Sequence, residues 1–116
     1  MFKYMNDEQL RIYVEGITRQ VRDGFELIYA PEWEAHIYST GIRDFDLWGE
    51  LPRLRLPTLI LRGAETDTFS ERAAKYVMRR NPRIRIESLP ASTHILPLER
   101  PNEVFAIMQS FLKEVV

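Results

Sequence analysis

Asp67 and His94 are the two side chains of this sequence whose types and placement could do chemistry together. Asp67 stands five residues past Arg62, at the end of the apolar run Thr58-Leu-Ile-Leu-Arg62. His94 stands six residues past Ser88, in the alternating run Ile84-Arg-Ile-Glu-Ser-Leu89. A carboxylate bonded to one imidazole nitrogen fixes the tautomer and orients the ring. It also stabilises the imidazolium formed when the other nitrogen accepts a proton. A histidine held in this way is a general base toward a hydroxyl. The pair is 27 residues apart in sequence, so the elements around it must close that gap.

Those elements read as strand, helix, strand, helix. Thr58–Arg62 is a nearly continuous apolar run between Pro57 and Gly63, the pattern of a strand buried on both faces. Ser70 caps a helix with Ala73, Ala74, Val77 and Met78 on one face, and Asn81-Pro82 stops it because Pro cannot continue the ladder. Ile84–Leu89 alternates, as a strand near a sheet edge does. Pro101 opens a last helix with Val104, Phe105, Ile107, Met108, Phe111, Leu112 and Val115 at helical spacing. A βαβα unit of these lengths has parallel strands and a right-handed crossover. Its two post-strand loops then share the carboxyl edge of the sheet, where sites of open α/β sheets form. Neighbouring strands lie ~4.8 Å apart, within reach for the two side chains.

Upstream, Asn6 and Gln9 stand in capping-box spacing ahead of an apolar stripe, Leu10, Tyr13, Val14, Ile17 and Val21. One helix is expected up to Asp23-Gly24. Pro31 opens a second helix, Glu32 to about Ser39. Residues 41–56 are punctuated by Gly41, Gly49 and Pro52 and read as irregular, with Phe45, Leu47 and Trp48 needing a surface to cover them.

Composition narrows the function classes. At 116 residues, 45% hydrophobic and 28% charged, the chain is an ordinary globular one of single-domain length. A net charge of −1 with both signs interspersed argues against nucleic-acid or membrane-surface partners. Cysteine is absent, which removes thiolate nucleophiles, thiolate metal sites and disulfides. No run approaches the ~20 apolar residues of a membrane span, and the N-terminus has no signal-like stretch, so a cytoplasmic location is the default expectation. No cofactor is expected. A metal site built from both histidines with Asp67 or Glu99 is rejected, since the positions lack ligand spacing.

From Pro57 to Pro101 the sequence resembles the C-terminal part of the α/β-hydrolase fold superfamily, through P-T-L-I-L-R-G-A-E-T-D, a helix, and L-P-A-S-T-H-I-L-P-L-E-R-P. In such enzymes the acid follows the penultimate strand and the histidine follows the last. The resemblance therefore implies Asp67 as triad acid, with Glu65 its competitor, and His94 as triad base. Residues 1–50 resemble the end of a helical cap, and Trp33-Glu34 fits it. The implied fold is α/β: a partial sheet of two parallel strands with flanking helices over 51–116, plus that cap-like segment. The implied activity is hydrolysis of an ester-like small molecule.

Departures from the pattern are as informative. No pair among Gly16, Gly24, Gly41, Gly49 and Gly63 brackets a serine as G-x-S-x-G. The family's oxyanion loop has no counterpart either. Where the family often has G-x-G-H, this chain has Ala91-Ser92-Thr93-His94, and a β-branched Thr93 does not readily take positive φ. Of Ser39, Ser70, Ser88, Ser92 and Ser110, none sits where a nucleophile should. His36, beside Trp33, reads as structural or surface. Arg79, Arg80, Arg83 and Arg85 read as a solvated helix end.

The chain is thus expected to supply a triad acid and base without a nucleophile and to be inactive alone. The alternative is a non-catalytic, self-associating module on a hydrolase-derived scaffold. Two strands leave an unpaired sheet edge and uncovered apolar faces. Self-association, or pairing with a missing N-terminal half, is the expected consequence.

Overall fold

The structure is a computed structural model, and it describes residues 2–40 and 47–116. Two small sheets and five helices follow one another: α1 (Asp7–Ile17), β1 (Thr18–Val21), β2 (Gly24–Leu27), α2 (Pro31–Thr40), β3 (Thr58–Gly63), α3 (Glu71–Arg80), β4 (Ile84–Leu89), α4 (Leu96–Glu99) and α5 (Pro101–Val115). Two 3₁₀ turns, Leu47–Gly49 and Leu51–Arg53, lead into β3.

Strands β3 and β4 pair in parallel, Thr58 opposite Ile84 and Gly63 opposite Leu89. The helix between them starts where the sequence says it should, with the Ser70 hydroxyl accepting from the Ala73 N–H at 3.2 Å. Ala74 and Val77 of its inner face are buried, whereas Met78 is exposed. Its end is fixed by Asn81. The buried Asn81 amide donates to the carbonyls of Leu51 (2.8 Å) and Leu54 (2.9 Å), tying the entry to β3 onto the exit of α3. Leu89, Leu96 and Val104 form the core, with half-buried Leu61 and Ile107 against them. Trp48 stands edge-on to Tyr76, ring centroids 5.0 Å apart, so α3 supplies part of the cover that Trp48 needs. Leu47 remains exposed.

The N-terminal third departs from the helix expected up to Asp23-Gly24. The Asn6–Gln9 capping box forms as read, but α1 stops at Ile17. Residues 18–27 then make an antiparallel hairpin, Thr18 opposite Leu27 and Val21 opposite Gly24. Its two-residue loop is Arg22-Asp23, with Gly24 at φ +144°. The apolar positions Ile17 and Val21 satisfy the helical period, but β-branched Ile17, Thr18 and Val21 favour extended backbone. Asp23-Gly24 serves as a hairpin turn instead of a helix cap. Helix α2 matches its expected span within a residue. Gly41 and Phe45 lie outside the described residues.

The last helix opens at Pro101 as the sequence predicts, and the loop before it contains the short helix α4. Arg100 separates the two, and Pro101 starts the second. On α5 only Val104 is buried, while Phe105, Met108 and Leu112 are exposed. No helix among the described residues is long and apolar enough to cross a membrane.

Candidate active site

The carboxyl ends of β3 and β4 stay joined after the strands finish. The Ala64 N–H donates to the Leu89 carbonyl at 2.8 Å, and the Glu65 N–H to the Ser92 carbonyl at 3.0 Å. These bonds hold the acid-bearing loop against the histidine-bearing one. Such an approach leaves no room at Gly63. A Cβ there would collide with the backbone oxygens of Ser92 and Thr93 and would sit 2.6 Å from the Ser92 carbonyl carbon. Ser92 is fully buried, its hydroxyl donating to the Leu89 carbonyl at 2.9 Å. The chain enters this turn at Ala91, whose φ of +48° lies in the left-handed region. Thr93, where the sequence places the conflict with the G-x-G-H pattern, keeps negative φ; the strained position is the first glycine of that pattern, filled by Ala91.

On the acid side, the buried Arg62 guanidinium spans the structure. Its Nε donates to the Phe69 carbonyl at 3.1 Å and its Nη1 to the Ser88 hydroxyl at 3.0 Å. The loop after β3 is thereby strapped to β4. Within it the Thr66 hydroxyl meets the Thr68 hydroxyl at 3.0 Å and accepts from the Thr68 N–H at 3.3 Å, with Asp67 between. Asp67 Oδ1 then lies 3.4 Å from His94 Nδ1. The two residues singled out in the sequence meet as its topology requires. The separation exceeds the 2.7–2.9 Å of a tight charge-assisted bond. Asp67 keeps 87% of its side-chain surface open and His94 31%. With Nδ1 turned to Asp67, Nε2 is the nitrogen left for proton transfer.

Glu65 is engaged by the N-terminal segment. It receives the Tyr4 hydroxyl and the Lys3 ammonium (3.1 Å), and Lys3 also lies 4.8 Å from the Tyr4 ring centre. The Tyr4 bond, then the Lys3 bond, pull the Glu65 carboxyl below its ordinary pKa. The Tyr4 and Glu65 bonds raise that of Lys3. Glu65 therefore anchors the N-terminal segment to the acid loop.

Every serine hydroxyl is already engaged. Ser39 donates to the His36 carbonyl, Ser70 caps α3, Ser88 accepts from Arg62, Ser92 donates to Leu89, and Ser110 donates to Glu114. His36 is on α2, apart from the Asp67–His94 pair. Arg85 belongs to β4 and pairs with Glu87 (2.9 Å) and Glu114 (3.0 Å), so it is no part of a free basic face. Sequence reasoning missed Arg62, Gly63 and Glu99, the groups that set the loops. A cation ending an apolar strand, a glycine directly after it, and an acid five residues past the histidine were the available signals.

No protein-family model matches the chain, and no curated protein does. Solved structures do. The crystal structure of an E-2-(acetamidomethylene)succinate hydrolase superposes with a TM-score of 0.83 at 21% identity, over 95% of this chain and 40% of that one. The fold is that of part of an α/β-hydrolase. An esterase from a marine microorganism superposes with a TM-score of 0.61 at 20% identity, over 93% of this chain and 41% of its own. The chain therefore spans about two fifths of the α/β-hydrolases it resembles.

Two substitutions of opposite sign test the loop geometry. Gly63→Ala should destabilise the protein by about 1–3 kcal/mol through overpacking against the Ser92–Thr93 backbone. Ala91→Gly should stabilise it by about 0.5–1 kcal/mol, the relief of left-handed strain less glycine's entropy. Denaturant titration measures both, and an unchanged Gly63→Ala midpoint would refute the close approach. The N-terminal anchor should follow pH in two limbs. Glu65's contribution is complete above its unfolded pKa and is lost as pH falls through its lower folded value. Lys3's is complete below its unfolded pKa and is lost as pH rises through its higher folded value. Tyr4 ring resonances report both limbs, and Glu65→Gln should abolish the acid one.

Proposed function

We propose that this chain supplies the acid and base of an α/β-hydrolase active site, with the nucleophile provided by residues outside this sequence. The observation that carries the reading is the 3.4 Å approach of Asp67 to His94 Nδ1 across the carboxyl edge of β3 and β4. His94 Nε2 takes the proton of an attacking hydroxyl, and Asp67 holds the ring and stabilises the imidazolium. The engagement of all five serine hydroxyls supports a nucleophile from elsewhere, serine or aspartate. Activity toward an ester-like small molecule accords with the hydrolase and the esterase that this fold resembles. Residues 1–50 are the cap-like segment in this reading.

The same reading requires a partner surface. The chain exposes 9257 Å², whereas a compact monomer of its mass exposes about 6,600 Å². Its radius of gyration is 17.3 Å, against about 13 Å for a compact domain of this length. The uncovered area is on the scale of an obligate interface. The outer edge of β3, half-buried Leu59 and Leu61, and the Phe105, Met108 and Leu112 face of α5 lie where a further parallel strand and its helix would pack. The proposed occupant is the segment that carries the nucleophile. Covering the exposed Asp67–His94 pair would also exclude water and strengthen it.

The test is hydrolysis of a short activated ester by the purified chain and by His94→Ala, with fluorophosphonate labelling alongside. The expected result is neither turnover nor labelling in either protein. Turnover that His94→Ala abolishes would place the nucleophile within these residues. Sedimentation of the same samples decides the surface. A species heavier than 13.7 kDa is expected from so much uncovered apolar area, and a stable monomer would overturn the partner surface.

A further inference from the structure

We infer that Glu99 is the positioning residue for His94. Glu99 is 4% exposed, and its carboxyl group is directed at Thr93, the residue before the histidine. One oxygen accepts from the Thr93 N–H at 2.6 Å and the other from the Thr93 hydroxyl at 3.0 Å. The same hydroxyl accepts from the Ile95 N–H at 3.4 Å, so the residues on both sides of His94 are tied to one buried group. Burying a carboxyl group is costly unless it is fully hydrogen-bonded. The partners here are local donors of the histidine loop, and no Lys or Arg among the described residues bridges to it.

The backbone of Glu99 is itself fixed. It lies in the last turn of α4, its N–H donating to the Ile95 carbonyl at 3.3 Å and the next N–H, of Arg100, donating to Leu96 at 2.8 Å. Its carbonyl faces the Gln9 amide of α1 at 3.5 Å. A turn held in this way presents a bidentate acceptor that fixes the Ser92–Thr93 peptide plane, and through the Thr93 hydroxyl it also holds the His94–Ile95 plane. The backbone at His94, from which the Cα–Cβ bond departs, is restrained from both sides. Arg62 does the equivalent for the acid loop from the other side, through Phe69 and Ser88. Glu99 acts on His94 through Thr93 and touches neither the imidazole nor Asp67.

The inference rests on the acid–base reading for its functional meaning, but it can be tested apart from it. The first readout is the χ1 rotamer of His94 from three-bond NMR couplings, recorded in the native background and in Asp67→Asn so that any restraint from Asp67 is scored separately. The native chain and Glu99→Gln should each show one rotamer, because a glutamine carbonyl still accepts from the Thr93 N–H and its amide can donate to the Thr93 hydroxyl. Glu99→Ala should show averaged couplings. If Glu99→Ala has lost methyl dispersion, Thr93→Val is scored in its place, and partial averaging is expected from the loss of the two bonds its hydroxyl makes, to Glu99 and from the Ile95 N–H. A single rotamer in the scored variant, even with a lowered Tm, would overturn the inference and leave Glu99 a purely structural group. Averaging already present in the native chain would overturn it as well. The second readout is the imidazole tautomer, from ¹⁵N shifts, in native protein and Asp67→Asn. A tautomer ratio unmoved by Asp67→Asn while the Glu99 effect persists would refute the acid–base couple and leave the positioning role standing.

Discussion

The candidate site depends on how closely the backbone after β4 can approach the end of β3. Gly63 makes that approach possible, since any side chain there would meet the carbonyls of Ser92 and Thr93. Once the backbones touch, the Ala64 and Glu65 amides find acceptors at Leu89 and Ser92, and the two loops become one unit. A parallel pair alone would place its loops about one strand spacing apart and leave their side chains free to diverge. The added bonds remove that freedom, and the 3.4 Å approach of Asp67 to His94 follows from it.

Two kinds of order coexist in this molecule. Buried polar side chains hold the backbone: Arg62, Ser92 and Glu99 near the site, and Asn81 at the opposite end of the strands, each have hydrogen-bond partners. Apolar groups away from the site are not covered, with Phe25, Trp33, Tyr38 and Phe105 each more than 60% exposed. The buried hydrophobic core of the described residues is six side chains, too few to stabilise a chain of this length by burial at about 25 cal/mol per Å² against its conformational entropy. Hydrogen bonds define the loops, while the hydrophobic closure needed for stability is incomplete.

That division explains what could be read from the sequence. The βαβα unit was legible because its signals are local and agree: Thr58–Arg62 is apolar, Ser70 caps, Asn81-Pro82 stops, and Ile84–Leu89 alternates. Asp67 and His94 follow from the two strand ends. The hairpin at 18–27 was not legible, because Ile17 and Val21 satisfy a helical period that β-branching and Asp23-Gly24 override. The engagement of Glu65 lay beyond the sequence too, since its partners Lys3 and Tyr4 stand some sixty residues away. Nothing local marked Arg62 and Glu99 as buried, since residues of their types are mostly exposed. Only the three-dimensional arrangement shows that they are buried to hold backbone.

The bonds that hold the two loops together lie within the loops and the strand ends that carry them. They run from Arg62 to Phe69 and Ser88, from Ala64 to Leu89, from Glu65 to Ser92, and from Glu99 to Thr93. All of them lie between residues 62 and 99. A partner that covered β3 and α5 would add stability and exclude water, but it would find the acid and base already facing each other. The approach of Asp67 to His94 is held from within the loops, whereas the apolar faces of β3 and α5 remain uncovered. In the proposed assembly, the low-dielectric surroundings that make an acid–base pair effective would come from the covering surface. The orientation of His94 comes from the chain itself.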